Sequence, residues 1–553
     1  MTNVQSLHWA DKIAKDVFSW QKKIGQKAAQ LHVDDMKTPS GRVHTGSLRG
    51  VVLHDVVAKV LQEKAAQPVV STYVFNDMDP MDGLPAYLDP VEYDQHMGKP
   101  LHRIPAPPLE KSGLDLTQTS VEEKTRFQTA KTMAQFYAQD FINAFRKLDC
   151  DQEIVWSHEL YESGQMDEVI KLSLDHVDQI KKIYKEVADY ELPAQWYPFQ
   201  VICPQCGKVG TTLTIDWDGE QVTFECQPHK VAWAKGCGYQ GKISPFGGTG
   251  KLLWKVDWPA HWRVMGVTVE GAGKDHSSAG GSRDMGRAII EQVFYRPNPF
   301  DIPYEFILVR GAKMSSSKGV GTSAREFVRL FPPQIGRFLF LNKLYSQVID
   351  FDPGGMAMPD LFDEYDQAAR IYWQQEGGDQ RMARAFVLSQ PGGQVPKPHY
   401  VPRFRDVALW MQHPELDLTK QFEELKGSPL TKIEQALLEE RRQYAQIWVD
   451  QYAPAEFQLT FRPGQMPTVE LSAAEKEYLQ AVEKLINSQS WQPDKLQQAL
   501  FDLAKASLGA KQGFQAIYKA FLGKTSGPRA AWFLLNIPAK QRQQRVNEVT
   551  GKQ

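Results

Sequence analysis

Apolar residues recur at helical spacing through LRGVVLHDVVAKVLQEK, where Leu48, Val52, Val56 and Val60 share a face with Val51 and Leu53 beside them. Ser47 stands at the N-cap position, so the helix is expected to begin behind TPSGRVHTGSLRG, with Gly41 and Gly46 letting the backbone turn into it. Trp9, Ile13, Val17 and Phe18 predict an amphipathic helix near the start of the chain, and further helical segments are expected over 127–145 and 282–294. Elsewhere the period shortens. Val69–Phe75, Glu153–Trp156, Arg263–Val269 and Tyr304–Val309 are rich in β-branched and aromatic residues and predict strands. Each runs directly into a polar loop: Asn76, Asp77, Asp79 and Asp82; the stretch through Tyr161 and Gly164; Glu270 to His276; and Gly311 to Gly319. Counting Thr38–Gly50, five such loops follow one another.

Open α/β sheets bind ligands beyond the carboxyl ends of their strands. The pattern therefore predicts a doubly wound parallel sheet, with helical crossovers and a site along one edge. After Gly319 the strand signals fade. PGGQVPKP at Pro391–Pro398 reads as a linker, and helical periodicity dominates beyond it, as in LTKIEQALLEERRQYAQIW, so an all-α C-terminal domain is expected.

Chemistry concentrates in three places. The helix start behind His44 and Arg42 offers N–H groups and a partial positive charge that suit phosphate, although an ordinary capped turn has the same pattern. In KMSSSKG, two lysines flank three hydroxyls, a set able to neutralise charge on a triphosphate leaving group; lysine and serine are also common in plain solvated loops. Cys203, Cys206, Cys226 and Cys237 give C-x2-C-x19-C-x10-C, with glycine behind the second and fourth cysteines, a spacing that suits a structural zinc ribbon. His229 is an alternative fourth ligand to Cys237, and four buried reduced thiols are the bland alternative.

Composition narrows the class. The chain has 553 residues, 42% hydrophobic and 24% charged, which predicts several globular domains. No apolar run is long enough for a bilayer, the first twenty residues lack a signal-peptide core, and five cysteines make no disulfide framework, so a cytoplasmic protein with no membrane partner is expected. A net charge of −2 neither demands nor excludes a nucleic-acid partner.

These motifs resemble those of class I aminoacyl-tRNA synthetases. HTGS at His44–Ser47 is similar to the HIGH signature and KMSSS at Lys313–Ser317 to the KMSKS signature. Within that class the chain resembles the class I lysyl-tRNA synthetases through HWAD, TPSG, GKPLHRIPAPP, YESG, WKVDWPAHW, GKDH, GGS and GPR, which cover nearly its whole length. The resemblance implies a Rossmann-like catalytic domain, ATP-dependent formation of lysyl-adenylate with magnesium on the phosphates, and transfer of lysine to the 2′-hydroxyl of the terminal adenosine of tRNA(Lys) by a monomer. It implies catalytic roles for His44, Ser47, Lys313 and Lys318. It places ATP on Ser40, Gly41, His44, Gly46, Ser47, Gly273, Asp275, His276, Lys313, Met314, Ser315, Ser316 and Ser317. It places lysine among Thr38, Asp77, Asp79, Trp258, Trp262, Glu270 and His276. The domains it implies are the two catalytic halves at 1–150 and 246–320, a connective insertion with the zinc ribbon at 151–245, a stem-contact helical subdomain at 321–390 and a helical anticodon-binding domain at 391–553.

Three positions depart from the family pattern. Ser47 replaces a histidine or asparagine, Ser316 replaces the second signature's last lysine, and DMDPMDG lacks following basic residues. In the C-terminal part, Arg441, Arg442, Arg529, Arg542 and Arg545 are candidate phosphate contacts or solvated charges, while Trp448, Tyr452 and Trp532 either stack on bases or fill a core. The rival readings are a glutamyl- or cysteinyl-type class I enzyme and a non-catalytic RNA-binding paralogue.

Overall fold

The computed structural model describes residues 8–551 apart from 26–27, 118, 309–321, 413–415, 455–456, 458–467, 528 and 536. KMSSSKG therefore lies outside the described residues. The chain forms two compact units: Met1–Phe351 with Gln367–Pro396, and Asp352–Asp366 with Lys397–Gln553.

The first unit is built on five strands, β1 (Leu31–Lys37), β2 (Val69–Phe75), β3 (Glu153–Trp156), β4 (Val269–Gly273) and β5 (Phe300–Tyr304). They lie in the order β5-β4-β1-β2-β3, and every neighbouring pair is parallel. Helix α1 (Trp9–Lys23) precedes β1. The crossovers are α2 (Gly46–Lys64) between β1 and β2, α3 (Met133–Lys147) between β2 and β3, and α5 (Ser282–Gln292) between β4 and β5; α4 (Trp254–Met265) leads into β4. Connections run one way from β1 and the other way from β4, so the switch point falls between these two central strands.

Side chains alternate across the sheet. Asp35 faces α2, where His54 Nδ1 lies 3.5 Å from its carboxylate. Asp34 faces the other way, toward Thr72 and Glu270. Trp258 and Trp262 of α4 reach Glu270 from that second side, so helices cover both faces. Leu48, Val51, Val52, Val56 and Val60 of α2 are all buried, as their periodicity predicts.

Four expectations need correction. The run assigned as a strand over Arg263–Val269 is the end of α4, a left-handed Gly266 at φ 70°, and only then β4. The tryptophans 254, 258 and 262 recur at helical spacing and outweigh the local valines, and Gly266 supplies the conformation that ends the helix. The strand expected over Tyr304–Val309 is split: β5 ends at Tyr304, and Ile307–Leu308 pairs with Ile349–Asp350 in a separate two-stranded sheet. The helix expected over 127–145 is broken, because the Thr132 side chain accepts the Gln135 amide and caps a new helix, α3. Ser47 is not the cap of α2. Thr45 holds that position without a side-chain cap bond, since its hydroxyl donates to the Thr322 carbonyl at 2.8 Å.

Between β3 and α4 the chain builds an inserted region. It holds helices at Ser157–Glu162, Asp167–Asp175 and Val177–Ala188, then a three-stranded antiparallel sheet of Thr212–Trp217, Val222–Cys226 and Gln240–Ile243.

In the second unit the described elements are helices. Arg441 makes two bonds to Asp366, and Arg542 bonds Glu483 at 2.7 Å and Asn487 at 2.8 Å; both arginines are buried, as is Arg545. These three candidate phosphate contacts are interior struts instead. Arg529 stays outside, 68% exposed, with its guanidinium 4.6 Å from the Trp532 ring.

Candidate active site

A cavity of about 530 Å³ opens at the carboxyl ends of β1 and β4. Its lining includes Asp35, Met36, Lys37 and Thr38 from the end of β1, Ser40, His44, Gly46 and Ser47 from the loop into α2, and Gly273, Asp275 and His276 from the loop behind β4. Asp79, Tyr73, Trp254, Tyr304, Glu305, Phe306 and Ile307 complete it. Three of the five polar loops thus converge at the switch point, where an open sheet offers its ligand crevice.

The first signature is held by the chain just beyond the second. His44 bridges to Ser323, the Thr45 amide donates to Thr322 O at 3.1 Å, and the Ala324 amide donates to Val43 O at 2.9 Å. No acidic residue lies in the first turn of α2, so its positive end is not neutralised from within. Gly41 does not line the cavity; a Cβ there would sit 2.6 Å from the Tyr87 hydroxyl, which accepts the Arg42 amide. The Arg42 side chain turns away, donating to Gly113 O at 2.8 Å and lying over the Tyr87 ring.

The residues expected around lysine divide into two groups. Thr38, Asp79 and His276 line the cavity; Asp77, Trp258, Trp262 and Glu270 do not. Asp77 accepts from His158 Nδ1 at 2.5 Å and from the His158 amide at 2.9 Å, and this bond leads the causes that raise the His158 pKa. Trp258 and Trp262 donate their indole N–H groups to the two oxygens of Glu270, which is buried. Burial pushes the Glu270 carboxyl up to about 7, against the pull of Arg283. Trp254 takes the position at the cavity, stacked 5.3 Å from Trp258.

Asp79 is already engaged. It accepts the Thr38 hydroxyl at 2.5 Å and pairs with Lys251, whose ammonium also lies 3.2 Å from Asp257. Burial works against that ammonium, but Asp257 and Asp79 outweigh it and raise its pKa. Tyr161 of YESG donates to Asp257 at 2.5 Å, and Asn76 to the same carboxylate at 3.2 Å. A polar network therefore ties four sequence motifs together behind the cavity wall.

Sequence reasoning missed Asp35, Met36, Lys37, Tyr73, Trp254, Tyr304, Glu305, Phe306 and Lys251. Asp35 to Lys37 were missed with the whole of β1, whose LHVDDMK alternation is hidden by paired aspartates. The signal available was its position, directly before TPSG.

The Sγ atoms of Cys203, Cys206, Cys226 and Cys237 all lie within 4.8 Å of one another, with 3.6 Å across both the 203–237 and 206–226 pairs. His229 is not part of this group. A tetrahedral zinc with bonds of about 2.3 Å sets its sulfurs about 3.8 Å apart, so the cluster fits that ion. The Cys237 amide points at Cys226 Sγ from 3.4 Å, a contact that favours thiolate.

The family profile described as tRNA synthetases class I (K) matches residues 7–115 and 119–392. Curated relatives align over nearly full length. A lysine–tRNA ligase of Archaeoglobus fulgidus is 30% identical, covering 98% of this chain and 99% of its own. One of Methanosarcina barkeri is 31% identical, covering 99% and 98%, and one of Methanosphaera stadtmanae is 28% identical, covering 96% and 97%. A solved glutamate tRNA ligase of Elizabethkingia meningosepticum, 11% identical, covers 94% of this chain and 99% of its own at a TM-score of 0.39. With a parallel sheet, a cavity at its switch point and a profile match over most of its length, this chain belongs to the class I (K) tRNA synthetases.

Proposed function

We propose that this chain is a lysine–tRNA ligase, which condenses L-lysine with ATP to lysyl-adenylate and pyrophosphate and passes the lysyl group to the 2′-hydroxyl of the terminal adenosine of tRNA(Lys). One observation carries the reading: the cavity at the switch point joins an HTGS phosphate loop, a GKDH loop and an acidic, aromatic wall, in a chain that aligns end to end with lysine–tRNA ligases.

In this reading His44, Ser40, Gly46, Ser47 and the start of α2 hold the triphosphate with its magnesium, while Gly41 keeps the loop closed against Tyr87. Gly273, Asp275 and His276 take the nucleoside. Lys313 and Lys318, with Met314 and Ser315 to Ser317 between them, act on the leaving pyrophosphate. Trp254 and Tyr304 cover the alkyl stem of lysine beside Thr38, and Asp77, Trp258, Trp262 and Glu270 support the wall from behind. The protein's task is positioning and electrostatic stabilisation, since the phosphoryl chemistry belongs to ATP. Carboxylates on the wall favour a cationic amino acid over glutamate. The four cysteines hold a structural zinc with no open position, which stabilises the insertion as a platform for the acceptor end. The helical unit carries the anticodon contacts, with Arg529 and Trp532 as an exposed pair suited to stacking on a base.

The test is exchange of pyrophosphate into ATP for each of the twenty amino acids, with and without tRNA. Lysine-dependent exchange supports the reading. Exchange with glutamate or cysteine alone replaces the substrate, and no exchange combined with tight, salt-dependent tRNA binding makes the chain an RNA-binding paralogue.

A further inference from the structure

Four carboxylates line the cavity, and they are not equivalent. Asp79 is occupied by Lys251 and by the Thr38 hydroxyl. Glu305 pairs with Lys274 at 2.6 Å. Asp275 is exposed, where water competes for any cation. Asp35 differs from all three: it is only 8% exposed, and among the described residues no lysine or arginine nitrogen lies within 4.0 Å of it.

Its close partners are an amide and an imidazole. It accepts the Met36 amide at 2.9 Å. From α2 it faces His54, whose Nε2 accepts the Gly271 amide at 2.7 Å and whose Nδ1 donates to Gly50 O at 2.7 Å. A ring nitrogen that accepts an amide carries no proton, so the Gly271 bond holds His54 as the Nδ1–H tautomer, while burial lowers its pKa and attraction led by the Asp35 carboxylate outweighs burial to raise it. From β2 and β5, Tyr73 and Tyr304 turn toward the same space, and Phe306 adds a third ring. Lys37 lines the cavity two residues further along β1, and burial pulls its ammonium below the ordinary value while Asp35 opposes that. A buried carboxylate walled by aromatic rings and lacking a close cation is a receptor for an alkylammonium, because the ion restores the pair and the rings accept both its charge and its stem.

We propose that Asp35 reads the ε-ammonium of the amino-acid substrate and is the specificity-determining residue of this cavity. This rests on the lysine–tRNA ligase reading above.

The experiment uses full-length protein with tRNA and compares wild type, Asp35→Asn and Asp35→Glu. Lysine KM and ATP KM are measured in pyrophosphate exchange, together with the inhibition constant of norleucine, which has the lysine stem without the ammonium. Asp35→Asn is expected to raise lysine KM about 100-fold, leave ATP KM within about twofold, and leave norleucine inhibition unchanged or stronger, as expected for a lost charge-assisted contact. Asp35→Glu, which keeps the charge, is expected to recover part of the lysine preference. A merely structural role would weaken lysine and norleucine together, so parallel loss of both overturns the assignment. So does an Asp35→Asn enzyme that still prefers lysine to norleucine as the wild type does. If Asp35→Asn does not fold, Asp35→Ser is measured for the same ratio against the same two outcomes. A wild type that activates no lysine overturns the proposed function, and this assignment with it.

Discussion

Glu270 is buried, bonded by two indoles and close to Asp34, whose pKa is raised well above the ordinary value by burial first and by Glu270 second. Its carboxyl sits at about 7 in the fold against 4.5 in an open chain. Between those values the folded state holds a proton that the unfolded chain has released. Stability therefore falls as pH rises through that window, by at most about 3 kcal/mol for this group. Glu270→Gln has the same shape and no proton to lose, although its amide nitrogen cannot accept the second indole N–H. Urea midpoints at pH 5 and pH 8 should differ less in the variant than in the wild type; an equal difference would show that Glu270 titrates normally. Gly50 is the second position where one atom decides. A Cβ there would fall 2.6 Å from the Tyr304 hydroxyl and 2.8 Å from the Asp35 carboxylate. Alanine gains about 1 kcal/mol of helix propensity at such a site. Gly50→Ala is nonetheless expected to lower stability and raise lysine KM several-fold, read by denaturation and by exchange kinetics.

At the scale of elements, the four-cysteine group predicts that Cys203→Ser loses bound zinc and lowers the melting temperature of the insertion, measured by metal analysis and calorimetry. Retained zinc would remove the site. The same scale shows what was legible in the sequence. Strands β2 and β3 were readable to the residue, because Val69–Phe75 and Glu153–Trp156 have strong local β propensity and abrupt polar ends. Of the cavity's residues, Asp79 lies in the loop behind β2; Thr38, His44 and His276 lie behind β1 and β4 and were legible through the TPSG, HTGS and GKDH motifs instead. Strand β1 was not readable. It sits at the centre of the sheet, where a strand normally reads as an apolar run, yet it carries His32, Asp34, Asp35 and Lys37. Of these, Asp35 and Lys37 line the cavity, so the strand that supplies the site is the one that hydrophobicity hides. Trp258 and Trp262 were readable as important, but not as wall supports, because only the end of their helix was assigned, and that as part of a strand over Arg263–Val269.

At the scale of the whole molecule, the arginines of the second unit separate into struts and surface. Arg542 pairs with Glu483 in the interior, and removing it leaves a buried carboxylate unpaired. Arg542→Ala is expected to cost about 3–5 kcal/mol of stability. Arg529→Ala should leave stability within about 0.5 kcal/mol and weaken tRNA binding with a shallower salt dependence. Denaturation curves and tRNA titrations at several salt concentrations check both; an Arg529 variant with unchanged tRNA affinity would leave that residue without a role in RNA contact.

The insertion between β3 and α4 has a consequence in time. The partner strand of β1 on its outer side, β4, begins at Val269, more than a hundred residues after β3 ends at Trp156. A ribosome adding about 5–20 residues per second takes several seconds or more to cover that interval. Throughout it, the strand destined for the middle of the sheet stands at its edge, with its hydrogen-bonding groups facing solvent. Nascent edges of this kind recruit other chains unless charge discourages them. Asp35 and Lys37 place charges along that temporary edge, so polar residues that line the finished cavity also guard the unfinished chain against the wrong neighbour.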